Sequence, residues 1–87
     1  MTNEEFIMMA KLEVKKYTYD NVARNGTSLF HVYVVWQAKV LQNHKALLAT
    51  DIEDDQHYYE ATYNGDKKQL YLDVYNKQEN KCIEVGN

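Results

Sequence analysis

The stretch Phe30 to Val40, FHVYVVWQAKV, constrains the fold more than any other. Its even positions, Phe30, Val32, Val34, Trp36, Ala38 and Val40, are all apolar. Its odd positions, His31, Tyr33, Val35, Gln37 and Lys39, are mixed to polar. Successive side chains on a strand point to opposite faces, so this alternation predicts a strand with one buried face and one wetter face. Most of its residues are β-branched or aromatic, which suits a pleated, half-buried surface. The expectation is that the whole even-numbered set lies in the core and that the rest of the chain covers it.

With 87 residues, the chain reads as a single domain, 1–87. A chain of this size buries only about 60–65% of the surface exposed by its unfolded form, so its core is small. Proline is absent, which permits long uninterrupted elements. Cys82 is the one cysteine, so no internal disulfide can staple the fold. No N-terminal apolar run resembles a signal peptide, and no run approaches the ~20 residues of a membrane span. The expectation is a cytoplasmic protein with no membrane partner. A net charge of −3 argues against a general nucleic-acid-coating role, because such proteins carry a basic surface.

Around the central strand the chain reads as follows. Thr2 to Arg24 is expected to be a helix opened by a capping box, Thr2 with Glu5, and carrying an apolar stripe of Phe6, Ala10, Val14 and Tyr17, widened by Ile7 and Met9. Asn25-Gly26 suits its exit. The first strand runs Leu29 to Leu41, a polar break covers Gln42 to Lys45, and Ala46 to Thr50 forms the second strand of a hairpin. Asp51 to Gln56 is an exposed acidic loop. His57 to Tyr63 and Gln69 to Tyr75 are the third and fourth strands, separated by the turn signal Asn64-Gly65. A short fifth strand is expected over Lys81 to Val85. One helix followed by consecutive strands predicts an α+β fold, the helix packed on a four- to five-stranded antiparallel meander.

Catalytic chemistry finds little to stand on. Ser28 is the only serine and lacks a nucleophile-elbow context. Cys82 has Lys81 beside it but no assignable His and Asn or Asp partners. His31, His57 and Asp73 approach one another only if the first and third strands are neighbours, and no paired-His or paired-Cys spacing supports a metal. The Asp51 loop lacks the glycine and terminal glutamate of a calcium loop. Glu60 and Asp73 form a pair of strand carboxylates without a cleft. The expectation is no catalytic, cofactor or metal site.

Tyrosine is the distinctive residue: there are eight, and Tyr58, Tyr59, Tyr63, Tyr71 and Tyr75 fall in the third and fourth strands. If Leu70, Leu72 and Val74 face the helix, then Tyr71 and Tyr75 face away, with Tyr33 and Tyr58 sharing their side. Three readings fit such a face. It can simply tile a small sheet. It can be a protein-binding surface, where tyrosine is enriched. It can stack single-stranded nucleic acid, although Glu60 and Asp73 on the same face oppose phosphate. The acids Asp51, Glu53, Asp54 and Asp55 are a second candidate contact, able to stand where phosphates lie in a basic groove.

The segments Tyr33 to Thr50 (YVVWQAKVLQNHKALLAT) and Tyr58 to Val85 (YYEATYNGDKKQLYLDVYNKQENKCIEV) resemble a small uncharacterised protein family encoded by phages and prophages of Gram-positive bacteria. That family brings no assigned activity and no functional residue. The resemblance implies context: a non-enzymatic phage protein that binds and inhibits a host defence or nucleic-acid-handling effector, of anti-restriction or anti-CRISPR type, within the host cytoplasm. Tyr33, Tyr58, Tyr71, Tyr75, Asp51, Glu53, Asp54 and Asp55 are its expected partner-binding residues. A single-stranded nucleic-acid accessory protein and a self-associating homodimer are the alternatives.

Overall fold

The computed structural model describes residues 1–21, 30–53, 55–77 and 86. Its elements are a helix α1 (Asn3–Asn21) and four strands, β1 (Val32–Val40), β2 (Asn43–Thr50), β3 (His57–Asn64) and β4 (Gln69–Asn76). The strands lie in the order β1-β2-β3-β4, and each neighbouring pair is antiparallel. The expected α+β fold, one N-terminal helix on an antiparallel sheet, is thus present. The expected fifth strand over 81–85, the helix end at 22–24, the turn at Gly26, and both Ser28 and Cys82 lie outside the described residues.

The capping box opens α1 as the sequence indicates. The Thr2 N–H donates to Glu5 Oε1 at 3.0 Å, and the Glu5 N–H donates to Thr2 Oγ1 at 3.1 Å. These two bonds occupy donors that a helix N-terminus would otherwise leave unpaired. Phe6, Ala10, Val14 and Thr18 are the buried stripe, while Ile7 and Tyr17 pack at its margin. Met9, expected to widen the stripe, is instead exposed. Thr18 can be buried because its hydroxyl donates to the Val14 carbonyl at 2.7 Å.

The stripe packs on the β2 and β3 side chains His44, Ala46, Leu48, Tyr59 and Ala61. Ala10, Ala46 and Ala61 are fully buried, so small side chains stand where the helix passes over the central strands. Leu70, Leu72 and Val74 of β4 pack against this core as expected.

Two local features depart from the sequence reading. First, the hairpin turn is only Leu41-Gln42, with Leu41 in the left-handed region at φ 57°. The polar break was expected at Gln42 to Lys45. In fact Asn43, His44 and Lys45 pair with Val40, Lys39 and Ala38. His44 is buried: its ring stacks on Phe6 at 5.1 Å, and its Nδ1 lies 3.1 Å from Asn3 Oδ1. A polar residue could be mistaken for a loop here because its partners come from the helix N-terminus, forty residues away in sequence.

Second, β1 contains a bulge. Val34 pairs with Leu48, but Trp36 pairs with Leu47, which leaves Val35 as the extra residue. One inserted residue reverses the phase of a period-two pattern. Val32 and Val34 therefore face α1, whereas Trp36, Ala38 and Val40 face away from it, and all three are exposed. The expectation that the whole even-numbered set is buried holds for its first half and fails after Val35.

Candidate interaction face

Among the described residues, the sheet has one face under α1 and one that no element covers. Register assigns the open face row by row. Tyr33 of β1 lies beside Ala49 of β2. Trp36, Leu47, Glu60 and Asp73 form a row across all four strands, and Ala38, Lys45, Thr62 and Tyr71 form the next. Tyr58 and Tyr75 pair across β3 and β4. The structure thus places Tyr33, Tyr58, Tyr71 and Tyr75 together on the face opposite the helix, as the alternation of β3 and β4 indicated. Each is between 37% and 50% exposed. Tyrosine suits this position, because one flank of the ring rests on neighbouring side chains while the hydroxyl stays in water.

Trp36 belongs with these four and was missed in the sequence, where it counts as a core residue. It is 43% exposed. With Ala38, Val40, Lys45 and Thr62 it borders a shallow hollow of about 300 Å³. The only available signal is the run Val34-Val35-Trp36, three apolar residues where strict alternation asks for a polar one in the middle.

The polar centre of this face is Lys45, Glu60 and Asp73. Lys45 Nζ is 3.5 Å from the Glu60 carboxylate. Tyr75 feels the same charges: the negative charge of Glu60 foremost, with some desolvation and the charge of Asp73, holds its phenol above the ordinary tyrosine range. At the end of the sheet, Lys77 Nζ lies 4.9 Å over the ring of Tyr58.

The acidic loop between β2 and β3 divides. Asp51 and Glu53 are exposed. Asp51 accepts the His31 N–H at 2.7 Å and lies 3.0 Å from His31 Nδ1. The His31 backbone bond first, then its side chain, hold the Asp51 carboxyl below the ordinary range. Asp54 lies outside the described residues. Asp55, expected as a surface contact, is only 2% exposed. Its carboxylate accepts from Thr50 Oγ1 at 2.5 Å, Tyr59 OH at 2.9 Å, His57 Nδ1 at 2.7 Å and the His57 N–H at 3.2 Å. Burial pushes its pKa up, but the bonds from Thr50, His57 and Tyr59 outweigh that and leave it below the ordinary value. An acid in a charged run is turned inward here because four donors converge on it.

Asp55 and His57 resemble the orienting half of a catalytic triad. The hydroxyls of Thr50 and Tyr59, however, both donate to Asp55, so neither is placed for an imidazole nitrogen to deprotonate it. The cluster ties the loop to β2 and β3. Lys77 reinforces it, its N–H donating to the Gln56 carbonyl at 2.7 Å and its Nζ to the Asp55 carbonyl at 3.3 Å. His31 and His57 are not brought together, because β2 lies between β1 and β3. Among the described residues no group of three His, Cys, Asp or Glu is arranged to hold a metal ion. No helix among them is long and apolar enough to cross a membrane.

Residues 7–85 match the model of a protein family described as a family of unknown function. No curated protein and no solved structure matches the chain.

Proposed function

The chain belongs to the DUF6275 family, a family of unknown function, and from that premise we propose that it is a non-enzymatic protein-binding module that inhibits a host protein. The setting is that of phages and prophages of Gram-positive bacteria, which the segments 33–50 and 58–85 resemble. The target is a defence or nucleic-acid-handling effector in the host cytoplasm, blocked in the manner of an anti-restriction or anti-CRISPR protein.

One observation carries this reading. Five half-exposed aromatic side chains, Tyr33, Trp36, Tyr58, Tyr71 and Tyr75, share one sheet face that no described element covers. Tyrosine and tryptophan dominate interface hot spots because they bury a large area at low conformational cost. Glu60 and Asp73 in the middle of that face repel a phosphate backbone, so a protein partner fits better than a nucleic acid. The acidic loop contributes less than its sequence suggests, since Asp55 is engaged inside the fold.

The test is affinity capture from a Gram-positive host lysate, with and without nuclease, using the wild type and a Trp36→Ala/Tyr71→Ala variant. The expected result is one host protein retained after nuclease treatment by the wild type and lost by the variant, with the captured protein inhibited in its own assay. Capture that vanishes with nuclease would instead favour stacking on single-stranded nucleic acid. Capture unaffected by the variant would remove the face from the interface. A dimer by light scattering that the variant converts to monomer would assign the face to self-association.

A further inference from the structure

Glu60 and Asp73 are cross-strand partners on the open face. Carboxylates directly opposite one another repel, and a fold tolerates this where a cation answers them. Lys45 answers one of the two: it reaches Glu60, whose side chain is 20% exposed. Among the described residues no cation pairs with Asp73. Among the described residues, the charged centre of this face thus holds two carboxylates and one cation.

We infer that this centre receives an arginine side chain of the protein partner, its guanidinium set on Asp73 and Glu60. The inference rests on the protein-binding reading above and specifies the chemistry that the face selects. Tyr71 and Tyr75 stand two residues before and two after Asp73 on β4, so a cation arriving there meets an aromatic ring on either side along the strand. Leu47 and Trp36 continue the row on β2 and β1. A guanidinium on a carboxylate there makes a charge-assisted hydrogen bond, stronger than a neutral one. The geometry favours arginine over lysine, because a planar guanidinium can stack on a ring while its fork bonds a carboxylate. The face already uses such a contact, with Lys77 over Tyr58. A second copy of this chain would bring the same carboxylates against one another, and a phosphate would be repelled outright.

The test is an amide-resolved NMR titration of the full chain with a blocked Gly-Arg-Gly-Arg-Gly peptide, and with its lysine and glutamate counterparts. The expected result is chemical-shift changes centred on Glu60, Tyr71, Asp73 and Tyr75, stronger with arginine than with lysine and absent with glutamate. A Glu60→Gln/Asp73→Asn variant keeps the side-chain shapes and relieves the repulsion, so it retains the wild-type amide pattern while its affinity falls about tenfold or more. Shifts centred on Asp51 and Glu53, no shifts at all, or equal binding by the variant would each overturn the inference. The same variant in the capture experiment separates the two proposals. If Trp36→Ala/Tyr71→Ala loses the host protein but Glu60→Gln/Asp73→Asn retains it as well as the wild type, the face is an interface and the arginine assignment is wrong. If neither pair of substitutions matters, the interface reading itself fails.

Discussion

At the scale of single residues, Asp55 decides most. Its carboxylate terminates the hydroxyls of Thr50 and Tyr59 and both donors of His57. Removing one buried acceptor leaves its donors unpaired, at about 1–3 kcal/mol for each group stranded. Asp55→Ala is therefore expected to lower unfolding free energy by roughly 2–4 kcal/mol, a large share of the stability of so small a domain, read from urea denaturation. The pH dependence follows with a definite sign. The folded pKa of Asp55 lies below that of the unfolded chain, so between the two the unfolded state binds more protons. Its contribution is fully present above the unfolded value of about 4 and is lost as pH falls through the folded one. Asp55→Asn should flatten the acid limb of the stability curve below about pH 4. Tyr59 acts at the other end. Burial, aided by the Asp55 charge, raises its phenol far above the ordinary range. Its contribution is present below about pH 10 and declines above it, and Tyr59→Phe should remove that alkaline decline.

At the scale of elements, the bulge and the turns set what faces where. Deleting Val35 removes the extra residue and keeps Trp36 opposite Leu47, so pairing should become regular with the indole still on the open face. Trp36 is the only tryptophan, so its emission reports this directly. The wild type should be readily quenched by acrylamide, and the deletion should leave quenching and emission wavelength unchanged, whereas a blue shift would mean that the indole had moved under the helix. A wild-type indole as protected as a core residue would contradict the bulge. The two turns at the far end of the sheet touch. The Gly65 N–H donates to Asn43 Oδ1 at 3.1 Å, and a Cβ on Gly65 would lie 2.6 Å from Gln42 Cβ and against the Gln42 carbonyl. Gly65 is thus required by close approach, while the left-handed residue of that loop is Lys68, at φ 53°. Gly65→Ala is expected to cost about 1–3 kcal/mol as overpacking, measured by thermal or urea unfolding.

At the scale of the whole molecule, a helix covers one sheet face and leaves the other with Tyr33, Trp36, Tyr58, Tyr71 and Tyr75 half in water. Exposed aromatic rings of this kind limit solubility unless a partner covers them. Trp36→Lys/Tyr71→Lys should raise the solubility limit in a precipitant titration. Each substitution should change unfolding free energy by about 0.5 kcal/mol or less, because neither side chain is in the core. A loss of several kcal/mol would mean that the face is structural.

Much of this protein was legible in its residues. Local chemistry that needs only near neighbours was readable directly: the Thr2–Glu5 capping box, the Phe6, Ala10 and Val14 stripe, and the alternation that sends Leu70, Leu72 and Val74 one way and Tyr71 and Tyr75 the other. The order of elements and their α+β class followed from the same periodicities. What the tertiary structure alone decided are events that a periodic pattern cannot encode. The phase reversal at Val35 depends on which β2 residue meets Trp36, so an unbroken alternation concealed it. His44 and Asp55 look like loop residues by type, yet both are buried, because their hydrogen-bonding partners, Asn3 for one and Thr50, His57 and Tyr59 for the other, converge only after the chain has folded. Burial of a polar group is settled by the donors and acceptors that reach it, and those are assembled in space rather than along the sequence.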